Sequence, residues 1–553
     1  MLRAIPTALA LAFVVLVATN ARAEDIPPVQ NVPSPVAPPT LHGNLALSLQ
    51  DAIAMGLENN LNLEVQRHAP LIANEDHEIA WGSYDPVFYA DSNYRDTETP
   101  NAFSLNQQST SQLKGVEGKG GFRGLLPWLG ARYDLSLYSS RLESNSTIQS
   151  VSPELRTIVS IGVSIPLLRD LIWNEPWTRV KTTRVQGKLE LENFRRDVMD
   201  TVQAIEGSYW GLIATEEQLR VEEKSLETAK ALLGQTQTQY EVGVVSKVEV
   251  TEAEAGVAAR EFSHITAENR YLTAQDELID LVLGPNLAAE SKLAIQPTDR
   301  PGDYVAYDID VEEAVRKGLA HRPELAVAQR EIERQEIALK FAKNQRLPQF
   351  DLVASYGNEG LAGTENPNLS CQFGATRPEC NPPGPANPRT GVSVGSNYGD
   401  SYDNFFTQSA ADRIVAGGVF SIPIPNTSAR HKVSKSELEL RRAKVQKRRV
   451  EQQIVLEVRG AARDLASAQE GIEASQRRVL AAEEQLRAEK IRLEYGESTP
   501  FDVLLRERDL VGAETEKIVA YRVYRTSATN LDRFQGTILK TRNIAIDAAG
   551  RLR

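Results

Sequence analysis

Cysteine is nearly absent from this 553-residue chain: there are only two, Cys371 and Cys380. Two cysteines cannot build a thiolate metal centre or a disulfide-stapled scaffold. The six histidines, His42, His68, His77, His264, His321 and His431, show no metal-ligand spacing, so neither a metal nor a cofactor is expected. Positive charge is in short supply, with 62 Lys and Arg against 74 Asp and Glu, and it forms no basic stripe, so nucleic acid is not an expected partner. There is no nucleophile elbow, phosphate loop or carboxylate pair, which argues against an enzyme. Gly115, Gly118, Gly120 and Gly121 lie between strand patterns and read as a turn, not a phosphate cradle. Beyond the N-terminus no apolar run is long enough for a spanning helix. A β-barrel remains open, because it leaves only a weak alternating signature.

What is present begins with an export signal at residues 1–23. Arg3 precedes an apolar run from Ala8 to Ala18, and Ala21-Arg22-Ala23 is a small-x-small cleavage site. In an exported protein Cys371 and Cys380 read as a disulfide. Residues 24–44 carry six prolines and read as extended and mobile.

The rest is written twice. Leu49-Gln50-Asp51-Ala52-Ile53 through Asp85-Pro86-Val87-Phe88 matches Val311-Glu312-Glu313-Ala314-Val315 through Leu347-Pro348-Gln349-Phe350, at one offset of 262. Ala52 pairs with Ala314, Gly56 with Gly318, Leu57 with Leu319 and Tyr94 with Tyr356. The chain therefore divides into repeat 1 (45–285), a connector (286–310), repeat 2 (311–540) and a tail (541–553).

Each repeat opens with an amphipathic helical pattern, the first running from Leu49 to about Ser83. The period then switches to two. Strands are expected at about 86–95 and 157–165, and again at about 348–357 and 413–423. Tyr133, Leu135 and Leu137 suggest a further hairpin strand. The segment 357–411, rich in Gly, Pro and Asn, reads as a surface loop. Long helices follow, at about 187–241 and 432–495. In the first, Leu191, Val198, Ile205, Leu212, Leu219, Leu226, Leu233 and Tyr240 recur every seven residues. In the second, Val458, Ala461, Leu465, Ala468, Ile472, Ser475, Val479, Ala482 and Leu486 alternate steps of three and four, a coiled-coil seam. Each rod turns at a glycine, Gly243 or Gly496, into a returning helix at about 247–283 or 500–537.

Strands with one apolar and one polar face suit an outer-membrane barrel wall, yet four cannot close one, and open edges are not tolerated in lipid. Several chains must pool their strands. Here the chain resembles the TolC-like outer-membrane efflux protein family. The resemblance rests on Leu47-Ser48-Leu49, Asp51-Ala52-Ile53, Gly56-Leu57 and Asn59-Asn60, on their partner at 311–325, and on the two turns. Tyr240-Glu241-Val242-Gly243 is followed by Glu249-Val250, and Gly496 by Asp502-Val503-Leu504.

The resemblance implies an α+β membrane protein with two structural repeats. Four or more strands per chain would form a shared 12-stranded barrel in a homotrimer, continued by an α-helical coiled-coil barrel in the periplasm. It implies an outer-membrane channel of a tripartite efflux pump or type I secretion system. The partners would be a periplasmic adaptor (membrane fusion) protein, an inner-membrane pump and outer-membrane lipid. The turn residues Val242, Gly243, Val244, Tyr495, Gly496 and Glu497 would contact the adaptor, and Glu249 and Asp502 would narrow the periplasmic aperture. Two departures from the family pattern fall here: Leu493 stands for the family Tyr, with Tyr495 nearby, and Glu249 for the family Asp. The competing reading is a non-conducting trimeric surface anchor with a barrel and a helical stalk.

Overall fold

The computed structural model describes residues 42–100, 109–127, 129–284, 292–300, 302, 309–368, 397–407 and 412–547. The export signal, most of the proline-rich segment and both cysteines lie outside the described residues.

Both passes follow one plan, a strand, two helices, sheet strands and two long helices, with a hairpin added in the first and two short helices in the second. The first pass holds β1 (His42–Leu47), α1 (Leu49–Asn59), α2 (Leu61–Trp81), β2 (Val87–Pro100), β3 (Thr110–Leu125), β4 (Arg132–Ser144), β5 (Val151–Pro166), α3 (Glu175–Glu241) and α4 (Lys247–Leu283). The second holds β6 (Lys292–Pro297), α5 (Val311–His321), α6 (Pro323–Gln345), β7 (Gln349–Glu365), α7 (Tyr398–Thr407), β8 (Asp412–Ser421), α8 (Thr427–Glu494), α9 (Pro500–Gln535) and α10 (Ile538–Thr541).

The opening helix of each pass is broken where one was expected. Asn60 ends α1 and caps α2, its side chain accepting from the Leu63 amide. In the second pass Arg322 takes that place, and Pro323 starts α6 at a position where its missing N–H costs nothing. The long helices begin earlier than expected, at Glu175 and Thr427. At 1.5 Å per residue, 67 and 68 residues make rods of roughly 100 Å.

Four rods lie side by side. Gly284, just past α4, abuts Asn59 and Leu61, so α4 and α2 run end to end. Gly536 abuts His321 and Arg322, so α9 and α6 do the same. Near the sheet the lateral order is α2-α3-α6-α8; at the far end it is α4-α3-α9-α8. All nine seam residues expected from Val458 to Leu486 are buried. In α3 the stripe shifts by one position: Ser225, Ala229, Leu232 and Thr236 are buried, while Leu226 and Leu233 are half-buried. Small residues there let α3 approach its neighbours closely.

At mid-length β1 pairs with β6 in parallel, an addition that the 24–44 and 286–310 readings did not include. Leu47, Ile53, Ile205, Tyr209, Leu278, Ile295 and Ile538 form the largest apolar core beneath this pair. Around it the rods are tied by buried charge. Glu206 on α3 is fully buried, and its carboxylate accepts from Arg542 at 2.6 and 2.9 Å and from the Thr529 hydroxyl at 2.5 Å. Arg322 pairs with Glu324 and Glu457, and Arg533 with Glu324 and Asp200. Burial pushes the Glu324 carboxyl up, but the Arg322 hydrogen bond and the Arg533 and Arg322 charges outweigh it and hold it at about 2.

All six remaining strands form one antiparallel sheet, in the order β2-β3-β4-β5-β7-β8. The insert between the first two expected strands therefore joins the sheet as β3 and β4. Among the described residues this sheet holds six strands, so the twelve-strand total implied by four strands does not follow from it. The 357–411 segment is also less loop-like than expected: β7 runs to Glu365, and α7 packs on β5 and β7.

Candidate functional site: two open edges and a helical tip

The sheet has two unlike faces, fixed by its register. Phe88 stands opposite Phe122, Phe122 opposite Leu135, Leu135 opposite Ile161, Ile161 opposite Tyr356 and Tyr356 opposite Ile414. That face is apolar, with Phe88, Phe122, Tyr133, Phe350 and Phe420 near its helix end and Tyr94 and Tyr356 farther out. Aromatics at both margins of an apolar band are a pattern also found on the lipid-facing wall of membrane barrels. The other face is polar. Arg95 pairs with Glu117 at 2.6 Å, the Tyr138 hydroxyl donates to Glu117 at 2.8 Å, and the Tyr89 hydroxyl donates to Asp134 at 2.9 Å.

The sheet does not close on itself. β2 and β8 are its outer strands, and both are exposed along nearly their whole length. The same two edges continue down the rods, because β2 follows α2 and β8 leads into α8. One edge of the molecule is thus β2, α2 and α4; the other is β8 and α8.

These helical edges carry apolar residues that the single chain leaves in water. On α2 they include Val65 and Ile72, on α4 Val248 and Phe262, and on α8 Leu438, Val445, Leu480 and Ile491; Phe262 is 74% exposed. Their levels match. Ile72 lies nine residues from the sheet end of α2, and Leu438 eleven from the sheet end of α8. Val65 and Val445 lie sixteen and eighteen residues down the same helices. From the tip, Phe262 and Leu480 are fifteen and fourteen residues up, and Val248 and Ile491 one and three. At 1.5 Å per residue each pair is level to within about 3 Å.

The tip consists of two turns of one design. Gly243 and Gly496 have φ of +80° and +73°, a left-handed backbone that a side chain would strain. The Val244 amide donates to Gln239 O and the Glu497 amide to Arg492 O, so both rods end in the same six-residue closure. Val242, Val244, Tyr495 and Phe501 are exposed around the turns, an apolar rim on the end of the molecule.

Glu249 and Asp502 sit where the sequence placed them, at the starts of α4 and α9, and each is also engaged locally. Glu249 Oε1 accepts from the Ser246 amide and hydroxyl at 3.3 and 3.1 Å, and Asp502 Oδ2 from the Thr499 amide and hydroxyl at 3.3 and 2.7 Å. Both are capping boxes. The Thr499 hydrogen bonds hold the Asp502 carboxyl below its usual range, so it stays charged at neutral pH.

Where sheet meets rods, Trp177 packs edge-on to Trp81 with centroids 5.8 Å apart, and Lys181 and Lys340 lie over Trp173 at 5.0 and 5.7 Å. Trp81, Trp173 and Trp177 thus gather at the junction between the sheet and the rods.

The family model described as Outer membrane efflux protein matches residues 123–282 and 385–537. No curated protein matches the chain by sequence. Among solved structures, the Campylobacter jejuni CmeC outer membrane channel aligns with a TM-score of 0.61 at 15% identity, covering 89% of this chain and 86% of its own. The outer membrane protein VceC from Vibrio cholerae gives 0.60 at 14%, covering 88% and 96%. The open state of the Neisseria gonorrhoeae MtrE outer membrane channel gives 0.58 at 16%, covering 89% of each. At these identities the likeness is one of fold.

Proposed function

Because the chain belongs to the outer membrane efflux protein family, and so is a non-enzymatic channel of the outer membrane with its helical part in the periplasm, we propose that it supplies one third of a passive exit duct. Three copies join edge to edge, β2-α2-α4 of one against β8-α8 of the next. The observation that carries this is the pair of open edges, continuous from sheet to tip and bearing exposed apolar residues at matching levels. A contact between two different edges is heterologous, and it ends in a ring only when the rotation closes. A ring also removes the unpaired strand edges that lipid forbids.

In this duct the polar sheet face lines the lumen and the apolar face meets lipid. The rods carry the lumen through the periplasm to the tip. There Val242, Gly243, Val244, Tyr495, Gly496 and Glu497 meet a periplasmic adaptor, which couples the duct to an inner-membrane pump of a tripartite efflux or type I secretion system. Exposed apolar side chains on a rigid turn suit an end-on protein contact better than a surface meant to stay wet.

Glu249 and Asp502 are proposed to narrow the aperture, six carboxylates in a trimer. Gln and Asn can keep both capping interactions while removing the charge. A Glu249→Gln, Asp502→Asn channel is therefore expected to conduct several-fold more than the unmodified protein in planar bilayers, with unchanged helicity. Unchanged conductance would leave the acids as caps alone, and a ring that never conducts in either form would favour the anchor reading.

A further inference from the structure

We infer that the membrane section of the assembled duct is an eighteen-stranded barrel, about half as wide again as one drawing four strands from each chain, with an aqueous lumen to whose charged lining the β3–β4 hairpin contributes. The inference rests on the ring closure proposed above and adds the strand count and the lining.

Four observations carry it. First, the hairpin lies within the wall. β3 and β4 are inserted between β2 and β5, in register from Leu113 opposite Ser144 to Leu125 opposite Arg132, and from Arg132 opposite Ser164 to Leu142 opposite Glu154. A hairpin standing in extracellular water would leave β2 paired directly with β5.

Second, both inserted strands obey the two-faced pattern of the rest. Val116, Phe122, Leu135 and Leu137 continue the apolar band set by Phe88, Val159 and Ile161. Glu117, Lys119, Arg123, Asp134, Ser136 and Ser140 fall on the polar side. A hairpin solvated on both sides has no reason to keep such a band.

Third, the sheet bends toward the polar side at this hairpin. A Cβ on Gly115 or Gly121 would collide with the backbone carbonyl of Arg141 or Leu135, so only glycine permits the approach. The polar face is thus concave, as a lumen requires. Across it run the Arg95–Glu117–Tyr138 chain and the Tyr89–Asp134 bond, with Lys119 and Arg123 over the Tyr89 ring at 5.5 and 5.3 Å.

Fourth, the edges have the right sense. β2 runs away from the helices and β8 toward them, so β2 of one copy lies antiparallel to β8 of the next. Six strands from each of three copies give an even, uniformly antiparallel ring. Barrels of about eight strands are filled by their own side chains, whereas those of 16–18 leave a water-filled channel. On this count the outer-membrane passage stays open, and closure falls to the periplasmic tip.

The test uses the full-length protein in membranes. Ser136 Oγ on β4 and Ser160 Oγ on β5 are 2.9 Å apart on the polar face, and the residues are direct cross-strand partners. The Ser136→Cys, Ser160→Cys protein is expected to form the intrachain disulfide nearly completely under mild oxidation, and each single variant to keep its thiol free under the same conditions. A cross-section of the unmodified protein in lipid nanodiscs, by electron cryomicroscopy, is expected to show eighteen strands. Free thiols on both cysteines of the double variant, or a ring of twelve strands, would overturn the inference and leave the channel reading intact. A sheet that closes within one copy would overturn both.

Discussion

Aspartate at both Ile72 and Phe262 is expected to leave each copy folded but to abolish the ring. In a single chain the two side chains are 60% and 74% exposed, so neither supports the fold of its own copy. In the ring Ile72 faces the level of Leu438, and Phe262 that of Leu480, across the seam. Burying an aliphatic or aromatic side chain contributes about 1.5–3 kcal/mol, and aspartate both loses this and must be desolvated. Each seam should weaken by roughly 4 kcal/mol, near a thousandfold, and three seams must form together. Size-exclusion with light scattering in detergent should show the single-chain mass, with helical circular dichroism retained and bilayer conductance lost. A variant that stays in rings would show that these edges face solvent or a different partner.

Replacing Arg542 with methionine is expected to give the largest loss of stability among single changes away from the seam. Glu206 is fully buried, and both its oxygens accept from the Arg542 guanidinium. Burial already lifts the nearby Asp532 carboxyl, with the Arg542 charge opposing the rise and the Glu206 charge adding to it. Without the arginine the two acids face each other, one in a nonpolar setting. Breaking one side of a buried ion pair costs about 3–5 kcal/mol. The unfolding midpoint in detergent should fall accordingly, and Glu206→Gln in the same chain should recover much of it. No recovery would mean that Arg542 acts through packing and not through its charge.

Much of this architecture is written in local patterns that physics reads directly. The Val458–Leu486 seam, the turns at Gly243 and Gly496 and the alternation of Val159, Ile161 and Val163 depend on period and backbone freedom alone. The capping boxes were half-visible: Ser246 with Glu249, and Thr499 with Asp502, have the required spacing. The hairpin was harder to place. Tyr133, Leu135 and Leu137 alternate, but β3 carries Gly115, Gly118, Gly120, Gly121 and Gly124, whose lack of side chains blurs a period of two. Those glycines read as a turn, while the structure uses Gly115 and Gly121 for close strand approach. The β1–β6 pair was hidden because parallel strands about 250 residues apart leave no local mark. The exposed stripe on α2 escaped notice because Val65, Ile72 and Ile79 look like any core heptad until the core is seen to lie elsewhere.

A disulfide scan across the proposed seam tests most directly whether one polypeptide is only a sector of a conduit. Val65→Cys with Val445→Cys, and Ile72→Cys with Leu438→Cys, place each thiol pair on opposite edges of a chain, out of reach of one another within a copy. Oxidation in the outer membrane should therefore link copies, giving denaturant-resistant bands at two and three times the chain mass and ending at three. A single band at the chain mass, with the protein folded and in the membrane, would contradict the account at its root.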